Sequence, residues 1–159
     1  MSEEVKVVEV PNQNVIGVKE KGPYAKIGVL INKLYEYVNG KNAAITSGPM
    51  FICHEHSAED AMKADKEGNA YLEVCLPIEG GEIECEGEFK FYKLEGGKMA
   101  KITHKGPYAK AGEAYNKLFK WIADNNYKIV GNMREIYLND PTKVPEEEFL
   151  TEIYVPIGN

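Results

Sequence analysis

The chain has 159 residues, 43% of them apolar and 28% charged, which is enough for one well-buried core and short for two independent ones. Nineteen Lys and Arg against 25 Asp and Glu give a net charge of −6, which argues against nucleic-acid binding as the main activity, because that needs a basic footprint. No window approaches the roughly 20 consecutive apolar residues of a membrane span, and the acidic start Met1-Ser2-Glu3-Glu4 lacks the apolar run of a signal peptide.

In chain order, residues 5–10 and 14–20 read as two short strands joined by Pro11-Asn12. Gly22-Pro23 opens a helix in which Ile27, Leu30, Ile31, Leu34 and Val38 recur at helical spacing, and Asn39-Gly40 ends it. Strands at about 50–55 and 70–77 follow, with a polar connector at 57–69 between them and a Gly- and Glu-rich link at 79–87 behind them. The order then recurs. Runs 88–94 and 98–104, joined by Gly96-Gly97, precede a helix opened by Gly106-Pro107. Its stripe is Ala111, Ala114, Tyr115, Leu118 and Ile122, and Asn125-Asn126 ends it. Strands 130–138 and 149–157, separated by a polar connector at 139–148, complete the chain.

This recurrence is a tandem repeat. KGPYAKIGVLINKLYEYV at 21–38 and KGPYAKAGEAYNKLFKWI at 105–122 share ten of 18 positions without a gap, at an offset of 84. Further on, Gly48-Pro49-Met50 matches Gly131-Asn132-Met133 at an offset of 83, and 71–78 matches 150–157 at an offset of 79. The expected architecture is α+β. Duplicated βαββ units, about 3–78 and about 87–158, would share a pseudo-twofold antiparallel sheet, with two long helices on one face and a ligand cleft on the other. The whole chain, 1–159, would form one domain.

Period-two alternation divides the late strands into faces. Arg134, Ile136 and Leu138 share one face; Met133, Glu135 and Tyr137 share the other. Ile153 and Val155 oppose Glu152 and Tyr154. With the apolar faces turned to the helices, Glu135, Tyr137, Glu152 and Tyr154 are expected to project together from the far side. In the first half, Phe51 and Cys53 fall on the helix side, Ile52 and His54 mirror Glu135 and Tyr137, and Glu73 and Cys75 mirror Glu152 and Tyr154. A solvated sheet face is the ordinary alternative for such residues. Against it, Glu is a poor strand former that nevertheless recurs here. Rings beside carboxylates also suit a lipophilic cation, through area, cation–π attraction and counter-charge. A desolvated carboxylate of this kind would have a raised pKa and serve equally as a general base.

The repeated GPY between strand and helix, the REIYLNDP strand and the terminal TEIYVPI resemble the GyrI-like (gyrase-inhibitor-like) small-molecule-binding family. It is similar to the effector-binding domains of AraC- and MerR-type transcriptional regulators. The resemblance covers about residues 3–158. It implies multidrug-type binding of hydrophobic, often cationic compounds against a buried Glu lined by aromatics. By position that Glu is Glu135, with Glu152 flanking it and Tyr137, Tyr154, Tyr108 and Tyr24 as the wall; Glu73 and His54 are the partial counterpart in the first repeat. Trp121 follows the helix stripe closely enough to be core. Some stand-alone members of the family hydrolyse strained electrophiles with a Glu and an aromatic residue, which would make Glu135 catalytic; others act by binding a protein partner. Regulators of this type carry an N-terminal helix-turn-helix, and this chain shows none, so a link to transcription would need a separate protein.

Other constellations are weaker. Cys53-His54-Glu55-His56 invites a metal reading, but two further ligands at a recognisable spacing are missing. His104 reads as surface variation. Ser2, Ser47 and Ser57 sit in no nucleophile elbow, Gly80-Gly81 and Gly96-Gly97 read as turns and not as phosphate loops, and no cofactor motif is present. Cys53, Cys75 and Cys85, an odd count without a CxxC, fit free thiols in the cytoplasm. The expected partner is therefore a hydrophobic or cationic small molecule, with no direct nucleic-acid or membrane contact. A hydrolase or a protein-binding inhibitor stands as the alternative.

Overall fold

The computed structural model describes residues 4–159; the readings placed on Met1, Ser2 and Glu3 lie outside the described residues. The elements are β1 (Lys6–Val10), β2 (Gln13–Gly22), α1 (Ile27–Gly40), β3 (Met50–Cys53), α2 (Ala58–Glu67), β4 (Ala70–Pro77), β5 (Phe89–Leu94), β6 (Gly97–Lys105), α3 (Gly112–Asp124), β7 (Lys128–Ile129), β8 (Arg134–Tyr137) and β9 (Leu150–Gly158). The class is α+β, and each described strand pair is antiparallel. No helix among the described residues is long and apolar enough to cross a membrane.

Two compact units emerge, Met1–Pro11 with Glu95–Asn159, and Asn12–Leu94. In the first, the strands lie in the order β1-β6-β9-β8, with β7 also on β9; in the second the order is β3-β4-β2-β5. The repeats have therefore exchanged their leading strands. β1 runs into β2 through two residues yet pairs with β6, Val8 opposite Met99. β5 likewise precedes β6 but pairs with β2, Phe91 opposite Ile16. Strand choice is a long-range decision that adjacency in sequence does not fix. Gly96 marks the point where it is made: a Cβ there would overlap the Val10 carbonyl oxygen and lie 2.6 Å from the Pro11 carbonyl carbon.

Each GPY segment makes the same entry to its helix. Pro23 and Pro107 stand just before a single 3-10 turn, closed by Lys26 N–H to Pro23 O and Lys110 N–H to Pro107 O, both at 3.0 Å. A ring that cannot donate is well placed at this position. The helices then bury every fourth residue of the expected stripes, Leu30, Leu34 and Val38 in α1 and Ala114, Leu118 and Ile122 in α3. In the first unit, the α3 residues close a core with Ala100, Ile102, Ile153, Val155 and Ile157, against which Tyr115, Trp121 and Met133 pack. Trp121 is half-buried against this core and stacks on Tyr127 at 5.8 Å. Asn42 and Asn126 adopt left-handed backbone just past the helices (φ 57° and 60°), a conformation that Asn tolerates.

The stretch read as a polar connector at 57–69 is a helix, α2. Its mean apolarity is too low to signal a buried stripe, and none of its residues is buried. Its ends were nonetheless written in the sequence. Ser57 Oγ accepts from Asp60 N–H at 3.0 Å, and Gly68 ends the helix in the left-handed region at φ 70°.

Candidate functional site

Residues directly opposite each other in an antiparallel pair project to the same side, so the register decides which strand faces coincide. Glu135 pairs with Ile153 and Tyr137 with Thr151; Arg134 pairs with Tyr154 and Ile136 with Glu152. Ile153 belongs to the core under α3. Glu135 and Tyr137 therefore share the helix-bearing face, and Glu152 and Tyr154 lie on the opposite one. The expectation that all four project together is corrected. The alternation within each strand was read properly, but the faces were joined through the wrong offset. Met50 opposes Cys75 as Arg134 opposes Tyr154, so β3 corresponds to β8 at an offset of 84 and not at the 83 that the Gly-x-Met match suggested. Phe51 and Cys53 are then the counterparts of Glu135 and Tyr137, and Ile52 and His54 those of Ile136 and Leu138. A slip of one residue moves every side chain to the other face.

On the helix-bearing face of the first unit, Glu135 stands among aromatic rings. The Tyr137 hydroxyl donates to Glu135 Oε1 at 2.7 Å. Tyr108, from the second GPY turn, meets the Tyr137 ring edge-on at 5.5 Å and stacks on Phe149 at 4.9 Å. Phe149 is 7% exposed and Tyr108 42%, so the cluster has a buried base and an open rim. Burial raises the Glu135 pKa above the ordinary carboxyl range, only partly opposed by the Tyr137 hydrogen bond. Burial also raises the Tyr108 hydroxyl, with help from the Glu135 and Asp140 charges. Among the described residues no Lys, Arg or His forms an ion pair with Glu135. Phe149 was missed from sequence: it precedes the alternating run of β9, and nothing local marks it.

The second predicted pair, Glu152 and Tyr154, is differently employed. Lys101 Nζ meets Glu152 Oε2 at 2.5 Å and lies 5.5 Å from the Tyr154 ring centre, while Tyr154 donates to Glu152 Oε1 at 3.1 Å. Burial alone would lower the Lys101 pKa, but the Glu152 bond and the nearby Tyr154 leave it raised. Glu152 already has its cation.

In the second unit, Glu73 is 4% exposed and held on both oxygens. His54 Nε2 lies 2.6 Å from Oε1, and Tyr92 donates to Oε2 at 2.6 Å. Tyr71 packs on the His54 ring at 4.6 Å. His54 is thus committed to a carboxylate, and among the described residues no group of three His, Cys, Asp or Glu is placed to hold a metal. Tyr92 was not anticipated. Gly17 makes room for it, because a Cβ there would overlap the phenol oxygen and stand 3.0 Å from the ring. Gly17→Ala is expected to push Tyr92 off Glu73 and lower stability by about 1–3 kcal/mol, read as a loss of denaturation midpoint; an unchanged midpoint would show that the ring moves freely.

Tyr24 belongs to the second unit. Its hydroxyl donates to Glu55 Oε1 at 2.6 Å, its ring meets Phe51 edge-on at 5.9 Å, and burial drives its pKa well above the tyrosine range. His104, read as surface variation, is 3% exposed and its Nε2 lies 3.0 Å from Pro107 O. It buttresses the turn that presents Tyr108, with Gly106 at φ 126° between them.

No curated protein matches the chain. Among solved structures, it is similar to the EcmrR C-terminal domain (TM-score 0.85, 22% identity, 98% of each chain covered). It is also similar to EcmrR in its DNA complex (TM-score 0.85, 21% identity, 98% of this chain), of which it spans only 57%. It further resembles a hydrolase encoded by lin2189 from Listeria innocua (TM-score 0.68, 15% identity, 98% of this chain and 92% of that one). A fourth likeness is to SAV2435 bound to tetraphenylphosphonium (TM-score 0.63, 14% identity, 99% and 95% covered). At these identities the likenesses establish the fold. The family model of the GyrI-like small molecule binding domain matches residues 3–158, and the chain belongs to that family.

Proposed function

We propose that this protein binds a hydrophobic, cationic small molecule at the Glu135 cluster, with Tyr137, Tyr108 and Phe149 as the aromatic contacts. One observation carries the reading: Glu135 is a half-buried carboxylate with a single hydroxyl donor and no cationic partner among the described residues. A lipophilic cation supplies the missing charge without displacing an internal one, and the rings add area and cation–π attraction. Glu152 and Glu73 are weaker candidates, since each already has a basic or hydrogen-bonding partner on both oxygens. SAV2435 is known from its tetraphenylphosphonium complex, which makes that cation the natural first probe. Fluorescence titration is expected to show saturable binding that weakens in Tyr137→Phe, because losing the hydroxyl donor leaves Glu135 harder to ionise. Equal affinity in both proteins would remove Tyr137 from the site.

A second reading rests on the same raised carboxyl. Glu135 is also placed to act as a general base toward water in the hydrolysis of an electrophile. Turnover abolished by Glu135→Gln would favour it over binding alone. We further infer that both units serve one functional domain, a reading supported by a family match that runs over residues 3–158, and that the protein works in the cytoplasm, in keeping with Cys53, Cys75 and Cys85 being thiols and not disulfides.

A further inference from the structure

Thr151 has an unexplained hydroxyl beside this cluster. The residue is 3% exposed, and its Oγ1 has no hydrogen-bond partner among the described residues. On β9 it lies directly between His104 of β6 and Tyr137 of β8, all three projecting to the helix-bearing face. Neither neighbour serves it: His104 Nε2 lies at hydrogen-bond distance from Pro107 O, and the Tyr137 hydroxyl donates to Glu135. A buried polar group left unpaired is destabilising and calls for an explanation. An apolar residue of the same shape, Val, would have avoided it.

We propose that Thr151 is a specificity-determining residue for the ligand of this site, which carries a hydroxyl, carbonyl or amide group as well as a positive charge. The hydroxyl both donates and accepts, so any of these groups completes it. Thr151 is the diagonal cross-strand neighbour of Glu135, which sets the two anchor points about 7–8 Å apart at the backbone. The ligand class is therefore a lipophilic cation with a polar group about one aromatic ring away from its charge. This inference rests on Glu135 as the cation-binding acid.

The test compares tetraphenylphosphonium with (4-hydroxyphenyl)triphenylphosphonium, whose hydroxyl stands one ring from phosphorus, on the full-length protein. The reading is the ratio of the two dissociation constants. Wild type is expected to prefer the hydroxylated cation by about tenfold, the worth of satisfying a buried polar group. Thr151→Val should bring the ratio close to one, while Thr151→Ser, which restores the hydroxyl, should recover the preference. A wild-type ratio near one, or a preference that survives in Thr151→Val, overturns the role of Thr151. Glu135→Gln separates the two claims. If both cations weaken in it while the ratio ignores Thr151, only the specificity inference fails. If neither cation responds to Glu135→Gln, the site assignment fails and the inference with it.

Discussion

Glu135→Gln is expected to move binding and stability in opposite directions. Gln keeps the shape and still accepts from the Tyr137 hydroxyl, so what is lost is the charge. Affinity for a lipophilic cation should fall at least tenfold, about 1.4 kcal/mol. Stability should rise. Burial raises the Glu135 pKa in the folded chain, which means that the native state holds the proton more tightly than the unfolded state. Ionising Glu135 therefore opposes folding. The penalty is absent below the ordinary glutamate range, grows as the pH passes through the raised value, and is complete above it. Thermal melts should accordingly coincide for wild type and Glu135→Gln near pH 4 and separate by roughly 2–4 °C near pH 8, Gln the higher, for a difference of ~1 kcal/mol. Wild-type affinity for the cation should fall as the solution is acidified across the same window. Melts that stay parallel at every pH would show that Glu135 is solvated.

The second large effect is expected at Gly96. Its missing Cβ is what lets the Val10 and Pro11 carbonyl groups pass, where β1 leaves its pairing with β6 at Val10 opposite Gly97. The obstructing atoms are backbone, which cannot swing aside as a side chain can. Gly96→Ala should cost about 3 kcal/mol, a fall of roughly 6–12 °C in a chain of this size. Hydrogen exchange should locate the damage at the β1–β6 ladder. A melt within 1–2 °C of wild type, on the same scale, would show that the connection bends without resistance and that the strand exchange does not depend on this glycine.

What the sequence revealed and what it hid follow from range. The helix stripes Leu30–Leu34–Val38 and Ala114–Leu118–Ile122 were legible because helical periodicity is local. The alternation of Glu135 with Ile136 and of Glu152 with Ile153 was legible for the same reason. The faces on which these sets meet were not, because pairing between β8 and β9 is set across an intervening loop, and β3 and β8 are only four residues long. A strand that short leaves a one-residue offset undetermined by pattern. The exchange of β1 and β5 was hidden for a related reason: both candidate partners are copies of one repeat, so local pattern does not tell them apart. The Glu135–Tyr137 pair and the Tyr108 ring were named from sequence, whereas Phe149, Tyr92 and the buried hydroxyl of Thr151 depend on neighbours distant in the chain.

The most direct test of a cation site at Glu135 is a charge reversal at constant shape. Tetraphenylphosphonium and tetraphenylborate are nearly isosteric ions of opposite sign, and isothermal titration with each at pH 8 separates charge from hydrophobic contact. The protein should bind the phosphonium at least tenfold more tightly than the borate, and Glu135→Gln should abolish that preference. Equal affinity for the two ions, or a preference that persists in Glu135→Gln, would contradict the assignment.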